Sequence, residues 1–397
     1  MTTEYTLLLT LGGLFILSPF VKSLSQKVGI PPMVGYISLG FAISAMDQVE
    51  PFISPKFETT FYVLSQMGVV ALLFRVGMRS HVDALLAKLP TASLVWVGDV
   101  LTNLAFGFAI AYFALDLGLE TALVIATAFS ATSVAVSVAV WDSANKLNTS
   151  TGSLLVDVAE LDDLSGVLLL AVLLAVLPVL QGQGALWPLV GATTLEVLLK
   201  LTLFISGCFL FARYLESKFT RFSRELENSL TALTITILGA GLVIATLAGF
   251  LGFSLAIGAL FAGLAFSRDP QAVRTEARFG YFYELLTPFF FIHIGMQMEP
   301  SVITGSLALG AILFVAAVAG KILGVTGMAL LTLKKSDALL LGISMIPRAE
   351  IALVVISQSQ QANGPIINDS VYNGMVIVCL ATSILAPILL RPMLEKT

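Results

Sequence analysis

From Ser150 to Leu180 the sequence reads STGSLLVDVAELDDLSGVLLLAVLLAVLPVL, an apolar run with Asp162 and Asp163 side by side near its middle. Its length suits a bilayer-crossing helix, which takes about 20 mostly apolar residues. An ionised carboxylate at that depth costs at least about 2.5 kcal/mol. Selection for stability alone favours Leu or Val at both positions, so the pair marks a functional site.

The rest of the chain agrees with a membrane setting. Its 397 residues are 57% hydrophobic and 12% charged, whereas soluble domains carry about 25% charged residues. This composition predicts an all-α polytopic membrane protein. Met1 to Thr6 holds Glu4 and no Lys or Arg, so the first apolar run reads as a retained span and not a cleavable signal. Cys208 and Cys379 lie inside apolar stretches and read as packing residues, since two such thiols define no disulfide framework. A net charge of -4 without a basic run argues against nucleic acid as a partner. No zinc spacing, phosphate loop or nucleophile elbow occurs, so neither an enzyme nor a cofactor is expected.

Turn signals and charges divide the chain into about thirteen spans, near 5–24, 31–46, 59–79, 91–115, 119–140, 150–178, 195–217, 227–246, 250–267, 282–298, 304–333, 337–361 and 370–391. Of the 21 Lys and Arg, four (Arg75, Lys200, Lys321, Arg348) fall within spans away from their inner ends. With the N-terminus outside and the C-terminus cytoplasmic, Lys56 alone lies in an outer loop and all the others lie in inner loops or at the inner ends of spans. That is a strong positive-inside asymmetry, and an odd span count preserves it. Lys200, near an outer end, can snorkel.

Two segments resemble each other. Phe61-Tyr62 leads to Val76-Gly77-Met78, and Phe282-Tyr283 leads to Ile294-Gly295-Met296, with the Gly-Met pairs 218 residues apart. That offset carries Phe129 to Pro347 and Ser133 close to Glu350. The copies start seven helices apart, which makes them an inverted-topology repeat of the kind found in secondary transporters. The first repeat covers 31–180, with core helices near 59–178. Linking helices cover 181–249. The second repeat covers 250–397, with core helices near 282–391.

Both copies carry disruptive residues at matching depth. Phe129-Ser130-Ala131-Thr132-Ser133 is a hydroxyl cluster, and Ser and Thr at such places often bond a carbonyl one turn back. Met345-Ile346-Pro347-Arg348-Ala349-Glu350 holds a proline that removes one helical hydrogen bond, beside opposite charges. Two broken helices crossing aim their dipoles at one point and call for charged partners. Arg348 and Glu350 either brace the break or act in transport.

Lys321 lies among small residues, Val318-Ala319-Gly320-Lys321, and needs a partner. Adjacent helical positions point about 100 degrees apart, so one aspartate can face Lys321 while the other faces a cavity. Two carboxylates this close raise one another's proton affinity and titrate together. Their vacant site takes either a proton or a bare monovalent cation, and that competition suffices for antiport. Asp157 and Glu160 precede the pair as a candidate acidic funnel on the cytoplasmic side, or as a solvated helix entrance. Asp99 and Asn103, four apart, share a helix face and read as a hydrogen-bonding pair behind the site. His293 reads as a packing residue, and the same offset matches it to Arg75.

With these motifs in their order and spacing, nearly the whole chain resembles the bacterial Na+/H+ antiporters of the cation:proton antiporter superfamily, two-aspartate electrogenic type. The likeness rests on Ser130-Ala131-Thr132-Ser133, Leu161-Asp162-Asp163 with Gly166, Pro347-Arg348-Ala349-Glu350, and Lys321. It implies thirteen helices, two of them broken and crossing, in a dimerisation domain and a core domain that moves like an elevator. It implies Asp163 as the carboxylate for cation and proton, Asp162 as the partner of Lys321, and Thr132 and Ser133 as lining. It makes Arg348 and Glu350 stabilisers of the crossing. It further implies a homodimer among membrane lipids, in a bacterial inner membrane, exchanging cytoplasmic Na+ or Li+ for external H+, electrogenically. Ala349 stands where glycine is common in the family, and Asp157 and Glu160 where small apolar residues are common, which bears on selectivity.

Three other readings compete. An intramembrane aspartyl protease needs carboxylates converging from separate helices, which adjacent residues do not provide. A symporter for organic anions needs a roomy polar pocket. A K+/H+ antiporter differs only in the preferred cation.

Overall fold

The computed structural model describes residues 2–79, 82–147, 149–181, 187–227, 229–251, 253, 255–267, 276–361 and 366–396. Among them there is no strand. In chain order the helices are α1 (Thr2–Val28), α2 (Pro32–Val49), α3 (Pro55–Arg79), α4 (Val82–Ala109), α5 (Leu119–Ser130), α6 (Val134–Ser143), α7 (Ser150–Gln181) and α8 (Trp187–Leu210). There follow α9 (Glu216–Leu226), α10 (Leu230–Phe250), α11 (Leu255–Phe266), α12 (Glu276–Met296), α13 (Ile303–Lys321), α14 (Lys335–Ser344), α15 (Glu350–Gln361) and α16 (Asp369–Lys396). Six stretches among the described residues are long and apolar enough to cross a membrane, Leu8–Val28, Pro55–Met78, Ala92–Ala114, Leu230–Phe250, Pro300–Ala329 and Asp369–Glu395.

The chain divides into two compact units. The first holds Met1–Val82 with Gly184–Met298, and the second holds Asp83–Gln183 with Glu299–Thr397. Core helices were expected to begin near 59 and 282, but α3 and α12 belong to the first unit. Glycine explains this. A Cβ on Gly77 would stand 2.2 Å from the carbonyl oxygen of Leu260, and one on Gly295 would stand 2.0 Å from that of Ile37. Only glycine permits backbones so close, and it locks α3 onto α11 and α12 onto α2.

These contacts are reciprocal. The second helix of each repeat copy packs on the first helix of the other. The reciprocity extends to side chains: the Arg75 guanidinium lies 4.3 Å over the Tyr283 ring, and its counterpart His293 meets the Tyr62 ring edge-on at 5.8 Å.

The second unit repeats one order of elements. Each copy runs from a long helix with a π-helical turn at or near its C-terminal end, through a helix interrupted by non-helical residues, to a second long helix. In the first copy these are α4 with Ile110–Ala114, α5 and α6 around Ala131 to Ser133, and α7. In the second they are α13 with Ile322–Thr326, α14 and α15 around Met345 to Ala349, and α16. The first break starts where Ala131 turns extended, at φ -72 and ψ 139. The second has a direct covalent cause, because Pro347 pushes Ile346 away from helical backbone angles and donates no N–H.

Candidate functional site

The two breaks meet. Ser133 donates its backbone N–H to the carbonyl of Pro347 at 2.8 Å. The Ser137 hydroxyl donates to the Ser344 carbonyl at 2.5 Å, and the Trp141 indole N–H donates to the Ser344 hydroxyl at 2.8 Å. Each interrupted helix thus finds partners for its orphaned backbone groups in or beside the other.

Cations cap the end of α5, where carbonyls without helical partners gather negative potential. Lys321 Nζ donates to the Ser130 carbonyl at 3.1 Å. Arg348 Nη2 donates to the Phe129 carbonyl at 2.9 Å, with the guanidinium 4.9 Å over the Phe129 ring. Both side chains are fully buried, so each needs counter-charge at close range.

Two carboxylates supply it. Lys321 Nζ lies 2.6 Å from Asp99 Oδ2 and 3.0 Å from Asp162 Oδ2, with all three residues at 0% exposure. Asn103 donates to Asp99 Oδ1 at 2.6 Å and accepts from Arg348 Nη2 at 2.7 Å. Its amide can be oriented only this way, since an ionised carboxylate has no proton to give and a guanidinium no lone pair. Gly320 leaves room for it, because a Cβ there would stand 2.9 Å from Asn103 Oδ1. The Thr132 hydroxyl donates to Asp162 Oδ2. Asp162 Oδ1 is buried and has no hydrogen-bond partner among the described residues.

The expected site residues fare as follows. Asp162, Thr132, Lys321 and Arg348 converge, and Ser133 joins the crossing through its backbone. Ser130 is satisfied one turn back, donating to the Thr127 carbonyl at 2.8 Å, so the hydroxyl cluster splits between local and long-range roles. Asp157 is buried on α7. The side chains of Asp163, Glu160 and Glu350 lie outside the described residues. His293 is buried against Phe61 and Tyr62, and its Nε2 has no partner among the described residues. Cys208 and Cys379 are both buried, as expected of packing residues. Lys200 pairs with Glu196 at 2.7 Å on an exposed face.

Sequence reasoning missed the shorter of the two ionic contacts of Lys321. It kept Asp99 behind the site and gave Lys321 to Asp162, whereas Lys321 bridges both. The signal available was that Asp99 is itself a carboxylate inside an apolar span and so needs a cation.

The transmembrane domain of sodium/hydrogen exchangers matches residues 13–396. A "Na(+)/H(+) antiporter" of Enterococcus hirae is 26% identical over 379 residues, which cover 94% of each chain. A "High-affinity Na(+)/H(+) antiporter NhaS3" of Synechocystis is 24% identical, covering 84% of this chain and 71% of that one. The solved sodium proton antiporter MjNhaP1 of Methanocaldococcus jannaschii superposes with a TM-score of 0.74 over 99% of both chains at 16% identity, a likeness of fold. With two meeting helix breaks, a buried ionic cluster between them and a family match spanning almost every residue, the chain belongs to the sodium/hydrogen exchanger family, whose members are multi-pass membrane transporters and not enzymes.

Proposed function

We propose that this protein exchanges cytoplasmic Na+ or Li+ for external H+ by alternating access, and does so electrogenically. One observation carries the exchange, and the resemblance to two-aspartate antiporters carries its electrogenicity. Among the described side chains at the crossing, Asp99 and Asp162 balance Lys321 and Arg348, so this part of the cluster is neutral. Asp163, next to Asp162 on α7, adds a negative charge that a proton or a monovalent cation can neutralise. The two occupants exclude each other, and an exclusive site that opens to alternate sides is an antiporter. No resident cofactor is needed.

In this reading Asp163 is the principal ion carboxylate. Asp162 assists it with its unpartnered oxygen, Thr132 and Ser133 border the site, and Arg348 and Glu350 hold the crossing. Asp157 and Glu160 form the inner approach. Elevator movement of the second unit, a homodimer among lipids, a bacterial inner membrane and an outside N-terminus belong to the same reading and follow from the family resemblance and the basic-residue asymmetry. The reciprocal packing of α3 and α12 supports the inverted repeat.

The test is cation-driven pH change in proteoliposomes with Na+, Li+ and K+, for the wild type and Asp163→Asn. Expected is proton movement with Na+ or Li+ that disappears in the variant. Exchange with K+ alone favours a K+/H+ antiporter, and absence of proton movement with every cation favours an anion symporter.

A further inference from the structure

α9 reverses the pattern of a soluble surface helix, which turns its apolar stripe to the core and its charges to water. Its buried face is polar: Glu216, Thr220 and Ser223, four and three residues apart, are all buried. The Thr220 hydroxyl donates to Glu216 Oε1 at 2.8 Å and the Ser217 hydroxyl donates to Oε2 at 3.3 Å, so the carboxylate is satisfied within the helix. Phe222 and Leu226, also four apart, are 61% and 71% exposed. Phe219 borders that stripe, partly buried, with its ring 6.2 Å from that of Phe266. Lys218 and Arg221 form a separate exposed strip and make no ion pair among the described residues. Glu225 shares that strip, so basic residues outnumber acids on it by two to one.

The chain bends to lay α9 down. Phe211–Leu215 is a π-helical turn in which the Glu216 N–H bonds the Phe211 carbonyl five residues back, and such turns kink helices. Leu215 departs from helical angles at φ -110. Eight residues of straight helix rise about 12 Å, yet the Phe211 and Phe219 rings lie 6.3 Å apart, and both meet Phe266, at 5.6 and 6.2 Å. α9 therefore folds over the end of α11 instead of prolonging α8. Three residues later α10 begins, an apolar stretch long enough to cross a membrane, so α9 sits at a membrane face. The basic-residue asymmetry makes that face the cytoplasmic one, where the lipid surface is anionic.

We infer that α9 lies in the headgroup layer, with Phe222 and Leu226 among the upper acyl chains and Lys218 and Arg221 bound to the phosphodiesters of anionic lipids. An apolar stripe beside a basic strip is the pattern of a helix that lies in this interface. A free phosphate would leave the apolar stripe in water. A second copy of the chain would bring the same cations against each other, and like charges across an interface oppose association. The inference concerns the first unit alone and holds whichever cation is exchanged.

Depth is measured in proteoliposomes with a nitroxide label on Phe222→Cys, since Cys208 and Cys379 are buried away from the reagent. The label should meet dissolved oxygen more readily than a water-soluble nickel chelate, and lie about 5–10 Å into the boundary between headgroups and acyl chains. A label in water overturns the inference. Broadening from a second label close by also overturns it, because another copy would then cover the stripe.

Headgroup choice is read by titrating the detergent-purified protein with phosphatidylglycerol or phosphatidylcholine and counting retained lipids by native mass spectrometry. Each basic residue near an anionic surface contributes about fivefold, so Lys218→Gln with Arg221→Gln should weaken phosphatidylglycerol binding about thirtyfold. Phosphatidylcholine binding should not change. Both side chains are exposed, so the variant should fold as the wild type does. No loss, or an equal loss for the two lipids, overturns the inference. Displacement of the bound lipid by soluble glycerol phosphate overturns it as well, since the strip would then be a site for a free anion.

Discussion

The amide of Ser133 and the carbonyl of Pro347 share a hydrogen bond of 2.8 Å, so the helix breaks of the two repeat copies touch through their own backbones. The crossing is held by covalent geometry as much as by side chains. Pro347 keeps its segment out of the helix and thereby leaves a carbonyl turned to its partner. The charged residues then assemble on a frame whose polar backbone groups are already matched.

Thr132 tests how much of that assembly depends on one hydroxyl. Its bond to the Asp162 carboxylate is charge-assisted, and losing such a bond costs about 1.5–3 kcal/mol. Thr132→Val should lower the melting temperature of the purified protein and reduce exchange, whereas Thr132→Ser should retain most of both. A Val variant as stable as the wild type would show that the bond contributes nothing.

Lys321→Met leaves Asp99 and Asp162 facing each other without a cation. Removing one partner of a buried ion pair costs about 3–5 kcal/mol, and here two carboxylates lose the same one. Folded protein recovered from membranes should fall sharply. Recovery equal to the wild type would mean that the two acids are neutral in the resting protein.

Asn103→Leu removes a relay between two ions. Asp99 Oδ1 and Arg348 Nη2 each lose a partner in a closed site, at about 1–3 kcal/mol for each buried group. Exchange should fall together with thermal stability. If stability alone fell, the relay would be a brace without influence on ion binding.

Gly295→Val and Gly77→Val should both fail to fold, because their new side chains would meet backbone that cannot swing aside. Gly12→Val is the matched control, since nothing lies within 4 Å of a Cβ there. Size-exclusion profiles of the three variants separate these outcomes directly.

Much of this arrangement was legible beforehand. Pro347 announced its break by chemistry, and the hydroxyl cluster at Ser130 to Ser133 marked the other by its depth. The Gly-Met offset of 218 located pairs, Gly77 with Gly295 and Arg75 with His293, whose contacts prove reciprocal. Less legible was which helices share a unit. Apolar faces are alike in sequence, and the close approaches at Gly77 and Gly295 depend on where a backbone lies. Asp99 was assigned too small a role for a similar reason. Its partner is 222 residues away, and no periodicity within α4 points that far.

The π-helical turn after Lys321 has an effect on phase. Gly320, Gly324 and Met328 all face α4, meeting Asn103, Thr102 with the Gly98 carbonyl, and Gly98 in turn. In a regular helix, positions four apart slip by about 40 degrees each time, so three successive ones fan out across nearly a quarter of the circumference. The wider turn at Ile322–Thr326 takes up this slippage and returns Met328 to the line of the two glycines. Deleting a single residue within it would swing everything beyond through most of a right angle, so this short segment should be fixed in length, even where its side chains are free to vary.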